Sequence, residues 1–166
     1  DLPHSFLGTG VIVGVVDLGI EYGHVNFWNY DRTELRVKRV WNQFDSTGIP
    51  PKGLHYGTEL TSGDEILNAK YDTDSSLHGT HVAGIAAGAD TINKYYGIAG
   101  DADLAFVSYN GELDGWDNIN ICDGIKYLFD YADSANKPCV VNLSLGCSLG
   151  SHDGTSTFSR ITDSMV

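Results

Sequence analysis

The chain has 166 residues, 42% hydrophobic and 11% aromatic, which suits one folded domain with a real core and excludes an intrinsically disordered segment. Twenty-two acidic residues against ten basic ones give a formal net charge of −12, a surface that repels phosphate backbones and argues against nucleic-acid binding. No stretch is apolar enough to span a membrane, the first residues, Asp1 to Ser5, do not read as a signal peptide, and Cys122, Cys139 and Cys147 form an odd set without the spacing of a disulfide framework or a zinc site.

Gly8-Thr-Gly10 opens into Val11-Ile-Val-Gly-Val-Val16, an almost unbroken β-branched run that predicts a central strand buried on both faces and ending at Asp17. The glycines precede this strand, whereas a dinucleotide loop follows one, so that reading fails. Glu34 to Trp41 alternates as a strand. Residues 42–76 read as an insert, from Asp45 onward a long surface excursion rich in Gly, Pro, Ser, Thr and Asp, with one short helix near Gly63–Ala69. Leu77 to Gly88 is a Gly/Ala-rich run that predicts a buried central helix with His78 at its mouth. Leu104 to Ser108 is the next strand, followed by a polar loop, Asn110–Asn118, that exposes Trp116. Apolar residues at Ile121, Ile125, Leu128 and Ala132 have helical spacing, and Lys137-Pro138 ends that helix. Cys139 to Leu145 reads as another buried strand, with Cys139 a small core residue, and Thr155 or Ser156 caps a last helix. This order predicts an α/β fold, a mostly parallel sheet with helices on both faces, and no linker suggests a second domain.

Asp17 and His78 each adjoin an element that would hold them rigid. A buried carboxylate beside an imidazole fixes its tautomer and stabilises the imidazolium while the histidine takes a proton from a nucleophile. Here the residues resemble a known family. Gly8-Thr-Gly-Val-Ile-Val-Gly-Val-Val-Asp17-Leu-Gly-Ile20 and His78-Gly-Thr-His-Val-Ala-Gly-Ile-Ala-Ala-Gly88 are similar to the aspartate and histidine motifs of subtilisin-like serine peptidases, the subtilases. Gly97 to Leu104 resembles the family's turn into the following strand, and Val140-Val-Asn-Leu-Ser-Leu-Gly146 resembles its substrate-holding strand.

The resemblance implies a serine endopeptidase with an Asp-His-Ser triad, in which Asp17 orients His78 and His78 is the general base. It implies that Asn142, Ser144, Leu145 and Gly146 hold substrate backbone and line the pocket, with Asn110, Gly111 and Leu113 on the opposite rim. The family's oxyanion asparagine and nucleophilic serine both follow the Asn142 strand well downstream. Residues 1–166 therefore read as the N-terminal part of one catalytic domain, inactive alone. Gly154-Thr-Ser156 mimics the nucleophile motif, but Thr157-Phe158 follows it and a helix cap is the expected role. The expected partners are a peptide substrate and, against an uncovered sheet edge and apolar face, the C-terminal half of the same domain or a second copy. The expected location is extracellular, cell-surface or periplasmic. No cofactor is required, and Asn26 stands where many relatives use aspartate for a structural calcium, which weakens the case for that ion here.

Other readings compete. A subtilase-like domain could bind peptides without cutting them. Asp17, His78 and His81 could instead hold a hydrolytic metal, although a hydrogen-bonded structural role for His81 is the stronger expectation. His24, His55 and His152 read as surface histidines, and the acidic groups at Asp72-Thr-Asp74 and Asp114–Asp117 as solvated loops.

Overall fold

The β-branched run beginning at Ile12 becomes β1 (Ile12–Asp17), buried along its whole length. The computed structural model describes residues 6–72, 76–111, 118–146 and 150–166. Leu113, Trp116, Cys147, Asp74 and the acidic group at 114–117 lie outside the described residues.

In chain order the elements after β1 are β2 (Val37–Asn42), β3 (Thr58–Leu60), α1 (Gly63–Ala69), α2 (His78–Ala87), β4 (Ala89–Asp90), β5 (Tyr95–Tyr96), β6 (Asp103–Ser108), α3 (Ile119–Ser134), β7 (Cys139–Leu143) and α4 (Thr157–Asp163). The main sheet runs β3-β2-β6-β1-β7. β2, β6, β1 and β7 are parallel, and only β3 runs against them. The expected mostly parallel α/β sheet is therefore present.

The two-residue period of the central strands divides the core into two layers. Val13 and Val15 of β1, with Leu104 and Phe106 of β6, pack with Ile66 of α1 and with Ala83 and Ala87 of α2. Ile12, Val16, Ala105 and Val107 face the other way, onto Ile121, Ile125 and Leu128 of α3. Gly14 allows this second contact: a Cβ there would stand 2.8 Å from Leu128 Cδ1.

Three expectations need correction. Residues 42–76 are more than a surface loop, because β3 pairs with β2, and the Trp41 ring makes tilted contacts with both Tyr56 of the insert and Tyr127 of α3. β7 is an edge strand, not a buried one: Val140 is 63% exposed. Its apolar sequence was legible, but not the lack of a described neighbour beyond it. α2 is buried along one face only, and Ile85 is 61% exposed. Beside it the unforeseen β4–β5 ribbon exposes Tyr95 and Tyr96, and Ile98, hydrogen-bonded through its N–H to Ile85 O, is also exposed. α4 has Ser156 as its cap, its hydroxyl accepting from Ser159 N at 3.1 Å.

These burials give a contrast measurable by urea denaturation. Leu128→Ala should cost about 2–5 kcal/mol, and Val140→Ala should stay within about 0.5 kcal/mol. Equal losses at the two positions would contradict the edge placement of β7.

Candidate active site

Parallel pairing puts the carboxyl end of β1 level with that of β6, with Asp17 opposite Ser108. Ligand sites in open α/β sheets lie at this end of the strands. Asp17 is fully buried. Its Oδ1 accepts from Leu18 N at 2.7 Å and lies 2.7 Å from His78 Nδ1. The His78 side chain is 50% exposed, so one face of the pair meets solvent while the other is sealed. Asp17 Oδ2 is buried and has no hydrogen-bond partner among the described residues.

The backbone around this pair explains why it forms. The first N–H groups of a helix need acceptors from outside it. Leu77, which precedes α2, is in the left-handed region (φ 56°) and supplies no side-chain cap. The acceptors come instead from the turn after β1: Gly79 N donates to Leu18 O at 2.7 Å and Thr80 N to Gly19 O at 3.0 Å. The Thr80 hydroxyl adds a clasp, donating to Gly19 O at 2.9 Å and accepting from Glu21 N at 2.7 Å. Two glycines permit the approach. At Gly19 (φ +72°) a Cβ would lie 2.6 Å from Leu77 N, and at Gly79 it would lie 2.5 Å from Ile20 Cγ1 and 3.0 Å from Asp17 Cβ.

Asp72 closes the turn from behind. It is buried, contrary to the solvated-loop expectation, and its Oδ2 accepts from Ile20 N at 3.1 Å. Beneath Asp17, the Tyr22 hydroxyl and Ser108 Oγ hydrogen-bond at 2.7 Å, and burial pushes the Tyr22 phenol above its usual range.

The other predicted residues are distributed as follows. Asn110 and Gly111 follow β6 after Tyr109 and are half-buried. Asn142 lies in β7, with Ser144, Leu145 and Gly146 just past its end, and Asn142 Nδ2 donates to Ser144 Oγ at 2.9 Å. Leu113 is outside the described residues. His81 is exposed and makes no side-chain hydrogen bond among the described residues, so its expected structural bonding is absent. His24 is no simple surface residue, since its Nδ1 accepts from Asn26 N at 3.3 Å. Among the described residues no three His, Cys, Asp or Glu side chains group as metal ligands. Asn26 Oδ1 accepts from Asp90 N at 2.8 Å, and Asp90 is paired with Arg32 at 2.9 Å. Beside them the buried Arg36 guanidinium donates to four main-chain carbonyls, those of Asn26 (3.0 Å), Trp28 (3.1 Å), Ala87 (2.5 Å) and Ala102 (2.9 Å). Thr80, Asp72 and Arg36 were missed in the sequence; only Thr80 carried a signal, its place within the histidine motif.

A buried carboxylate holding a half-exposed imidazole at the mouth of a Gly/Ala helix defines a class. The sequence matches the subtilase family over residues 8–164, and the chain belongs to that family. It is 31% identical to a Bacillus subtilisin over 142 residues, covering 85% of this chain and 28% of that protein. It is 35% identical to the minor extracellular protease Vpr of Bacillus subtilis, covering 92% of this chain and 16% of Vpr. Among solved structures the CspB protease of Clostridium perfringens superposes with a TM-score of 0.76 at 30% identity, over 97% of this chain and 34% of that one. The chain thus spans about a third or less of the length of these relatives. No helix among the described residues is long and apolar enough to cross a membrane.

Thr80→Val removes both side-chain bonds of the clasp and should lower stability by about 1–3 kcal/mol. Thr80→Ser keeps the hydroxyl and should restore most of that loss. A urea midpoint unchanged in the valine variant would show that the clasp does not hold the turn.

Proposed function

We propose that this chain is the Asp- and His-bearing N-terminal part of a serine endopeptidase catalytic domain. The 2.7 Å contact between His78 Nδ1 and the buried Asp17 carries the reading. A carboxylate on Nδ1 leaves Nε2 free to accept a proton, and it stabilises the imidazolium once that proton arrives. His78 Nε2 takes the proton of a serine supplied by sequence outside these residues. The serine oxygen attacks the peptide carbonyl, and the imidazolium then returns the proton to the leaving amine, giving an acyl-enzyme that water hydrolyses. The substrate lies extended between the segment Asn142, Ser144, Leu145, Gly146 and the rim at Asn110, Gly111 and Leu113. Ser156 is not the nucleophile, its hydroxyl being occupied as the α4 cap. Residues 1–166 alone do not hydrolyse peptides.

The remainder of the catalytic domain covers the apolar face of α2 around Ile85, Tyr95, Tyr96 and Ile98. The coverage of only 28% to 34% of the subtilisin and CspB relatives supports this choice over a second copy. The protein acts outside the cytoplasm, a reading supported by the name of the extracellular relative.

In the full-length protein, Asp17→Asn should lower kcat by about 10⁴-fold, since a neutral amide no longer holds the reactive tautomer. His78→Ala should abolish labelling by a fluorophosphonate. A wild-type protein that binds peptides but neither labels nor cleaves would establish the non-catalytic alternative instead.

We also propose that the Asn26 corner needs no calcium. Asn26 Oδ1 is taken by Asp90 N, and a fixed guanidinium already supplies the positive charge that the neighbouring carbonyls attract. The thermal midpoint should be the same in excess chelator and in millimolar calcium, whereas Arg36→Met should cost at least about 3 kcal/mol by stranding several buried carbonyls. A midpoint that falls with chelator and recovers with calcium would refute this.

A further inference from the structure

Gln43 and Asn120 belong to no motif, yet both are buried polar side chains, 3% and 2% exposed, and both bond to Asn110. Asn110 N donates to Gln43 Oε1 at 3.0 Å. Asn120 Nδ2 donates to Asn110 O at 2.6 Å. Gln43 Nε2 donates to Asn120 O at 2.9 Å, closing a ring among three residues. Gln43 also spends its own main-chain N–H on Ser108 O at 3.0 Å.

The ring joins three elements: Gln43 follows β2, Asn110 follows β6, and Asn120 is in the first turn of α3. Both main-chain polar groups of Asn110 are held by buried side-chain amides. The preceding residue is tied to the other half of the site, Tyr109 N donating to Asp17 O at 2.8 Å. Asn110 is therefore fixed relative to Asp17 through one intervening residue. The amide of Gln43 fits in one orientation only, because one of its partners is a donor and the other an acceptor.

We propose that Gln43 and Asn120 are positioning residues that set the height of the substrate rim at Asn110 and Gly111 above the Asp17–His78 pair, so that they govern binding of the part of a peptide that reaches this rim. This rests on the peptidase reading and deepens it. The ring touches neither reacting atom. Its loss acts on contacts distant from the cut and leaves proton transfer by His78 intact. Such contacts register in KM when they bind ground and transition states alike. Gln43 lies at the start of the insert at 42–76, so that insert shares in shaping the substrate channel.

The test uses the full-length protein and two substrates: a simple ester reaching only the residue before the cut, and a peptide with four residues before it. Gln43→Met fills a similar volume and removes the side-chain bonds. It should raise KM for the peptide about tenfold, the worth of one buried hydrogen bond, with kcat for the peptide and kcat/KM for the ester within twofold of wild type. Asn120→Ala removes the bond to Asn110 O and should shift the same way, and the double variant should lose less than the product of the single losses, because the three bonds form one ring. Amide exchange at Asn110 should quicken in each variant. If the ester and peptide lose rate in parallel, or neither changes, the role is merely structural or absent and the proposal is overturned while the peptidase reading stands. If the wild-type protein neither labels with a fluorophosphonate nor cleaves either substrate, the peptidase reading fails and this proposal fails with it.

Discussion

The first turn of α2 takes its hydrogen-bond acceptors from the turn after β1, and everything at the site depends on that docking. Leu18 O and Gly19 O stand where a capping side chain would stand in an ordinary helix. A helix fastened in this way cannot shift along its axis without stranding N–H groups, so His78 inherits the position of the strand end. The sheet register does the rest. Asp17 and Ser108 are opposite each other, Tyr109 N bonds to Asp17 O, and the segment that follows β6 becomes part of the same rigid piece.

The electrostatics follow from that geometry. A buried carboxylate is costly unless something charged or polar answers it. At Asp17 both donors converge on Oδ1, and Oδ2 is left without a described partner. Among the described residues, the one polar contact that this carboxylate makes to a side chain is therefore to the ring of His78. On the proposed reading, in which His78 takes a proton from a serine, the carboxylate stands where its attraction for the ring would strengthen as charge develops.

Much of this could be read from residues alone, and the reasons are local. The β-branched run before Asp17 admits only a buried strand, and the Gly/Ala run after His78 predicts a close-packed helix, which gives the mount of His78. The exposed face of α2 and the edge position of β7 were not legible, since an apolar residue looks the same whether its neighbour lies within the chain or elsewhere. Thr58 to Leu60 is too short to announce itself as a strand, and its pairing is set by Val40 to Asn42, far away in sequence. Arg36 was illegible for another reason: its four partners are backbone carbonyls, which carry no side-chain signature. The amide ring at Gln43 likewise joins residues from three separate segments.

The open edge of β7 has a consequence for how the molecule behaves in a crowd. Among the described residues no strand pairs with the outer edge of β7, and a strand edge without a partner is a template for any extended chain, including another copy of itself. The affinity that would let a peptide lie along this strand is therefore inseparable from a tendency to stick edge to edge. One feature opposes that tendency: a net charge of −12 keeps copies apart over a Debye length at low ionic strength. The acidity of the chain thus acts as colloidal protection for an exposed strand, and added salt should weaken it.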